Sequence, residues 1–354
     1  LLAVQLVISI KQILAIDVTV RQIFEMPTIA KLTSSFAGLP SKTLSHDLLK
    51  QGKRIRQLPV SYCQQLFWRW AKDERWESSF HMPVILLMRG VLDKDAMQKS
   101  LQAILNRHES LRTNFLVENG KVLMYITDDA DINFRIVEHV SIDTTNLSLS
   151  IKELWEKKLR KPFNLECGSL MRAFLIVLSD KETVLILDTH HLISDGWSVN
   201  VINQELNYFY QLYTTNKHIN TQPLEIQYSD YVSYQQRCHE TPVYKQQLDY
   251  WTKHLADINS IPRFPLDFNK ALAVTGSLKF RTINMPIKLA DEVYKYCRET
   301  EITPYTLFMA LFHVSLYMYS KSTQLVVSSP VAVRSHETSQ SVGLYLNFML
   351  IKSC

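Results

Sequence analysis

The 354-residue chain predicts an α/β protein of two successive lobes, preceded by a few short helices. Three observations lead there. From about Gln57 onward, apolar runs of strand character alternate with segments of 3.6-residue periodicity. A proline-marked connection near 262–286 interrupts that alternation, which then restarts. At 46% apolar and 21% charged residues, the composition is that of a globular chain long enough for more than one folding unit.

The opening "LLAVQLVISIKQILAI" sets Leu2, Leu6, Ile10 and either Ile13 or Leu14 on one helical stripe. Gln5, Lys11 and Gln12 make it too polar to span a bilayer, and it lacks the cationic start and cleavage pattern of a signal peptide. "DVTVRQIFEMPTIAKLTSSF" predicts a short helix near Val20–Phe24, a break at Pro27 and a second helix from Thr28. So few residues bury too little to stand alone, so 1–36 reads as the tail of a small all-α domain and 37–56 as a linker. The chain begins with Leu, which agrees with a fragment.

"MPVILLMRGVL" then predicts a strand. "DKDAMQKSLQAILNRHESL" predicts a helix capped by Asp93, with Met97, Leu101, Ile104, Leu105 and His108 on its inner face. Asn119-Gly120 marks a hairpin of type I′. Two apolar runs flank the polar turn "SDKE", and Val199, Ile202, Leu206, Phe209 and Tyr213 predict an amphipathic helix of about five turns. The second lobe reads as helices over 288–300 and 304–319, the strand "TQLVVSSPVAV" and the closing run "GLYLNFMLI".

Composition excludes several classes. The net charge of +5 is interspersed with no block of like charges, which predicts neither nucleic-acid nor membrane partners. The eight glycines form no GxGxxG, no GxxxxGK[ST] and no GxSxG, so phosphate-cradling loops and a nucleophile elbow are not expected. Cys63, Cys167, Cys238, Cys297 and Cys354 are scattered with no CxxC pair, the pattern of free thiols in a reducing compartment such as the cytoplasm.

The informative stretch is "LILDTHHLISDGWSV", residues 185–199. Side chains alternate along a strand, so His190 and His191 face opposite ways and cannot both serve one small site. The helix that follows begins between Asp195 and Ser198, either of which can cap it. A helix N-terminus disfavours imidazolium, keeping a nearby ring neutral and able to accept a proton. One reading makes both histidines hydrogen-bonded edge residues and Asp195 a cap. A metal site is disfavoured, because adjacent histidines on opposite faces are poor co-ligands and no HxxxH or cysteine cluster accompanies them. A Ser-His-Asp triad lacks a placed nucleophile.

His190-His191-Leu192-Ile193-Ser194-Asp195-Gly196 is HHxxxDG, which resembles the active-site motif of nonribosomal peptide synthetase condensation domains. Five further segments agree in order. "SYCQQLFW" resembles SxAQxRLW, with Leu66 in place of Arg, and "RHESLRTNF" fits RHExLRTxF at every fixed position. "PFNLECGSLMRAFL" is similar to PFDLxxGPLxRxxL, and "YSDYVSY" with Tyr250-Trp251 resembles YxDYAxW and its sequel. "VGLYLNFMLIK" resembles IGxFxNTxxxR, with Phe348 and Lys352 replacing Thr and Arg. The opening 36 residues resemble the part of a peptidyl carrier domain that follows its phosphopantetheine-bearing serine.

The resemblance implies a chloramphenicol-acetyltransferase-like fold over 57–354, with an N-terminal lobe over 57–260 and an incomplete second lobe over 261–354. A fragment of that kind is expected to be poorly stable and inactive by itself. The implied reaction joins two carrier-tethered substrates: the amine of a downstream aminoacyl thioester attacks an upstream peptidyl thioester. His191 carries the implied chemistry, and His190 is assigned to structure. Asp195 is the implied structural aspartate, paired with Arg112 across the loop. Gly196 fits close backbone approach beside a channel, or a tight turn. Ser61, Trp197 and Asn347 fall at family positions near the channel. The implied domain binds no cofactor and no metal, since phosphopantetheine arms arrive on upstream and downstream carrier domains. An adenylation domain of the same synthetase is the further implied partner. Rivals with the same fold are epimerisation domains, coenzyme A acyltransferases and a non-catalytic docking platform. "RHESLRTNF" and Trp197-Ser198 favour condensation over the first, the carrier-like opening argues against the second, and the intact motif against the third.

Overall fold

Thr19 and Gln22 start the first described helix by satisfying each other's backbone. Gln22 N donates to Thr19 Oγ1 at 3.2 Å, and Thr19 N donates to Gln22 Oε1 at 2.8 Å. The result is α1 (Val20–Glu25), followed past Pro27 by α2 (Ile29–Phe36), as the sequence predicts. The computed structural model describes residues 18–36, 49–52, 55–73, 76–138, 146–215, 223–258 and 282–353, with a few positions between 3 and 16. The expected helix over 1–16, the linker 37–56 and the connection 262–286 fall mostly outside the described residues.

The chain divides into two compact units. The larger comprises Leu49–Glu240 together with Glu337–Leu346. It holds β1 (Gln57–Pro59), α3 (Tyr62–Ala71), β2 (His81–Arg89), α4 (Lys94–Arg107), β3 (Thr113–Glu118) and β4 (Lys121–Ile126). It continues with β5 (Asn133–Val137), α5 (Leu147–Leu154), β6 (Met171–Ser179), β7 (Glu182–His190), α6 (Gly196–Thr214) and α7 (Tyr228–Cys238). Asn119 (φ 50°) and Gly120 (φ 74°) turn β3 into β4 with the positive φ pair that a type I′ turn needs. These strands form a small sheet in the order β1-β4-β3.

The second sheet runs β2-β7-β6-β5 and positions the site. β7 is antiparallel to both of its neighbours, and only β5 runs parallel to β6. β7 is buried over Thr183–His190, which explains why it reads as an apolar run rather than an alternation. One face packs Val184, Ile186, Phe174 and Ile176 against Ile151, Leu154 and Trp155 of α5 and the turn after it. On the other face Leu185 and Leu187 are equally buried. α4, capped by Asp93 as expected, packs against α6, with Leu101, Ile104 and Leu105 fully buried on one helix and Ile202 and Phe209 nearly so on the other.

The smaller unit comprises Leu1–Leu48, Thr241–His336 and Asn347–Cys354. It holds α8 (Pro242–His254), α9 (Ile287–Glu299), α10 (Pro304–Ser320), β8 (Leu325–Ala332) and most of β9 (Leu346–Ser353), the two strands pairing with each other. Thr303 caps α10 with Pro304 in its first turn. α10 is apolar almost throughout, yet Phe308, Leu311, Phe312, Val314, Tyr317 and Met318 are each more than a third exposed.

The α4–α6 contact gives a direct test of the larger unit. Leu101 is fully buried, so Leu101→Ala is expected to destabilise that unit by about 2–5 kcal/mol, read by urea unfolding.

Candidate active site

β7 ends at His190, and the chain leaves the sheet at His191. The two rings go to different surroundings, as strand alternation requires. His190 is 4% exposed, stacked on Phe80 with ring centroids 5.5 Å apart and edge-on to Phe163. Its Nδ1 accepts from Leu192 N at 3.0 Å, so that nitrogen carries no proton. His191 is half-buried and stands edge-on to Phe67 with centroids 5.1 Å apart. Its Nδ1 lies 2.9 Å from the Ser194 carbonyl oxygen. A carbonyl can only accept, so neutral His191 carries its proton on Nδ1 and keeps a lone pair on Nε2. That is the tautomer a proton acceptor needs.

The turn bearing His191 is pinned on both sides. His191 N donates to Phe80 O at 2.8 Å, and Ile193 N to His190 O at 3.0 Å. Gln64 Nε2 donates to Leu192 O at 2.9 Å, while Gln64 Oε1 accepts from Ser61 N at 3.0 Å. Ser61 and Gln64 thus form a capping box at the start of α3 and reach the turn from there. On the far side Asp195 caps α6. Its Oδ1 accepts from Ser198 N at 2.8 Å and from Ser198 Oγ at 2.7 Å. Its Oδ2 accepts from Tyr345 N at 3.0 Å.

Tyr345 belongs to a buried segment that side chains hold by its backbone. Val342 N donates to His108 Nδ1 at 3.3 Å, and Val342 O accepts from Ser110 Oγ at 2.7 Å. Gly343 N donates to Ser198 Oγ at 3.1 Å, and Leu344 O accepts from Tyr228 OH at 3.1 Å. Trp197 Nε1 donates to Ser339 O at 2.9 Å. Behind His108, Glu205 accepts from both His108 Nε2 at 2.8 Å and Arg107 Nε at 2.9 Å. Glu109 Oε2 accepts from Ser229 Oγ at 2.5 Å. Arg107, His108 and Glu109 therefore tie α4 to α6, to α7 and to the 342 segment.

Among the predicted site residues, His190, His191, Asp195, Ser61 and Trp197 surround this one turn or its supports. Two expectations are corrected. Arg112 does not pair with Asp195: its Nη1 donates to Thr127 O, and Thr127 N and Oγ1 return to Arg112 O at 3.1 and 3.0 Å. That reciprocal clasp at the open end of the β3–β4 hairpin holds Arg112, and N–H and O–H donors from Ser198 and Tyr345 occupy both oxygens of the Asp195 carboxylate. Gly196 is neither in a positive-φ turn nor under close backbone approach, because a Cβ there would meet nothing within 4 Å. Asn347 lies in the smaller unit, exposed, with its Oδ1 accepting from the adjacent Phe348 N at 2.8 Å.

Sequence reasoning assigned no role to Ser198, Tyr228 or Gly343. The D-x-x-S spacing of Asp195 and Ser198 was a usable capping signal, and the Ser61–Gln64 spacing another. Nothing in the sequence showed that residues 341–345 dock on them. Among the described residues no group of His, Cys, Asp and Glu could hold a metal ion.

Burial pushes the His190 imidazole down to about 3 from its ordinary 6.5, with smaller repulsions from His81, His191 and Arg172. The group is neutral when folded, and the unfolded chain binds its proton first. Stability from this residue is therefore intact above pH 6.5 and is lost as pH falls from 6.5 toward 3. The difference in unfolding free energy between wild type and His190→Phe is expected to change by up to about 1.4 kcal/mol per pH unit in that window and to be flat above it. Urea titrations across pH read it.

Comparison with known proteins follows the same motifs. The family model described as Condensation domain matches residues 54–353. A linear gramicidin synthase of Brevibacillus parabrevis is 30% identical over 361 residues, covering 100% of this chain and 5% of the synthase. Surfactin synthase subunit 1 of Bacillus subtilis (strain 168) is 28% identical over 345 residues, covering 97% of this chain and 9% of the synthase. The chain thus spans less than a tenth of either relative. The crystal structure of the X-domain from teicoplanin biosynthesis matches with TM-score 0.75 at 22% identity, covering 86% of this chain and 67% of that one. The first condensation domain of the calcium-dependent antibiotic synthetase, in complex with a substrate analogue, matches with TM-score 0.66 at 15% identity, covering 84% of this chain and 68% of that one. The mixed α/β fold is that of these domains, and the family match over nearly the whole chain makes it a member of the condensation-domain family, the amide-forming acyl transferases of nonribosomal peptide synthetases.

Proposed function

We propose that this chain joins a carrier-bound acyl or peptidyl donor to the α-amine of a carrier-bound aminoacyl acceptor, with His191 in the chemistry. The observation that carries the reading is the His191 Nδ1–Ser194 carbonyl bond, which leaves the Nε2 lone pair as the acceptor. The amine nitrogen attacks the thioester carbon, the new C–N bond forms and the C–S bond breaks. The proton lost by the amine passes to His191 Nε2 and then to the departing sulfur, which leaves as a free thiol. An imidazole with an ordinary value of about 6.5 suits that transfer near neutral pH, and holding two tethered ends together supplies much of the rate.

Condensation domains bind no cofactor of their own, so both pantetheine arms enter as parts of the substrates. Upstream and downstream carrier domains and an adenylation domain are the proposed partners, in keeping with the synthases that this chain is similar to. Residues 1–36 are proposed to be the end of a carrier domain. The gramicidin synthase match runs through them, whereas the condensation match starts at residue 54. Among the described residues no helix is long and apolar enough to cross a membrane, and the cytoplasm is the proposed location.

The test uses the full synthetase with both flanking carriers loaded, following dipeptidyl thioester by mass spectrometry. His191→Ala is expected to lower the rate at least ~100-fold, the lower range for a positioned acid–base group. A rate that the substitution leaves unchanged removes His191 from the reaction.

A further inference from the structure

The buried segment at 341–345 is stapled to the helix that follows the catalytic turn, 150 residues earlier in the chain. Ser198 is the common member of that staple. Its single hydroxyl hydrogen goes to Asp195 Oδ1 at 2.7 Å, and its oxygen accepts from Gly343 N at 3.1 Å. Asp195 Oδ2 accepts from Tyr345 N at 3.0 Å, so one carboxylate and one hydroxyl together hold two buried amides of the segment. The peptide on the N-terminal side of Asp195 contains the Ser194 carbonyl, the group that fixes the His191 proton on Nδ1.

Gly343 shows how closely the segment is seated. A Cβ added there would lie 2.2 Å from Cδ2 of the Tyr228 ring, nearer than any real contact. Tyr228 cannot retreat easily: it is 1% exposed, its OH donates toward Ser61 Oγ at 2.9 Å and Leu344 O at 3.1 Å, and Tyr345 stands edge-on to it with centroids 5.0 Å apart. Glycine is required here by the proximity of a ring, not by a positive φ.

We infer that Ser198 is a positioning residue for His191, and that the seating of residues 341–345 on Ser198 and Tyr228 sets the tautomer of the catalytic imidazole. Loss of the hydroxyl leaves the buried Gly343 amide without its acceptor and Asp195 without one donor. The segment or the start of α6 must then shift, and the Ser194 carbonyl turns with Asp195. His191, released from that carbonyl, drifts toward the Nε2–H form, which has no lone pair where the amine proton is delivered. Ser198 touches no substrate in this scheme and acts only through Asp195 and Ser194.

The turnover part of this inference rests on the proposed reaction, but the tautomer part does not, so the two are separable. The measurement is the ring-nitrogen NMR spectrum of [15N]histidine-labelled protein, with His191 identified as the resonance pair missing from His191→Gln. In the wild type, His191 is expected as the Nδ1–H form. Ser198→Ala and Gly343→Ala are expected to move its two nitrogen shifts toward each other or to exchange them. Gly343→Ala combined with Tyr228→Leu, which makes room for the added methyl, is expected to move them back. If Gly343→Ala fails to fold, Tyr228→Phe removes only the hydroxyl bonds and is expected to give a smaller shift in the same direction. In the loaded synthetase, Ser198→Ala is expected to slow product formation about ten-fold, the equivalent of one hydrogen bond. Folded Ser198→Ala protein with wild-type His191 nitrogen shifts would overturn the inference. Shifted nitrogens with an unchanged rate of product formation would uphold the positioning and overturn instead the proposed role of His191.

Discussion

The Asp195 carboxylate is the interaction on which the site depends. It ends a turn that starts at the last residue of a central strand, caps the helix that follows, and holds a backbone amide that arrives 150 residues later. Each duty alone is ordinary. A capping carboxylate at a helix N-terminus is favoured by the exposed amides and by the helix dipole. Combining them in one residue locks the geometry of the turn, because Asp195 cannot rotate to suit one partner without giving up another. His191 inherits that rigidity through the Ser194 carbonyl, and this is how an imidazole at the edge of a sheet acquires one defined tautomer.

A second constraint explains the surroundings. Residues 341–345 are buried, and buried amides and carbonyls need partners. Side chains from α4, α6, α7 and the turns beside them supply those partners: His108, Ser110, Asp195, Ser198 and Tyr228. His108 can accept from Val342 N only because Glu205 takes the proton-bearing Nε2, so a buried carboxylate–histidine pair ends on a backbone amide. The residues around 107–110 thereby join three helices to the segment. His190 fills a comparable supporting place beneath the turn, where its neutral ring stacks between phenylalanines and receives the Leu192 amide. Two adjacent histidines of one motif are thus sorted by strand alternation into a support and a reagent.

Much of this was legible locally. The Asp93 and Asp195 caps, the Asn119-Gly120 turn, the β7 run and the opposed faces of His190 and His191 all follow from periodicity and the geometry of helix and strand ends. What failed depended on partners distant in sequence. The Arg112–Asp195 pair was an inference from family resemblance; in this chain Arg112 is committed to Thr127 across the β3–β4 hairpin, and donors from Ser198 and Tyr345 occupy the carboxylate. Gly196 invited a reason for glycine that the backbone does not supply, while Gly343, whose need for glycine is plain from the Tyr228 ring, carried no local mark. α10 shows the same limit: its apolar composition announces a helix, but says nothing of which of its side chains are buried.

The central claim is that side-chain acceptors, with no strand ladder beneath them, fix residues 342–345 to the Asp195 helix cap as firmly as the core strands are fixed. Native-state hydrogen exchange of the Val342, Gly343 and Tyr345 amides tests it most directly. The account predicts that all three exchange only with global unfolding of the larger unit, at the same free energy as the amides of β7. Exchange by local opening, at rates like those of exposed loops and while β7 stays protected, would contradict it.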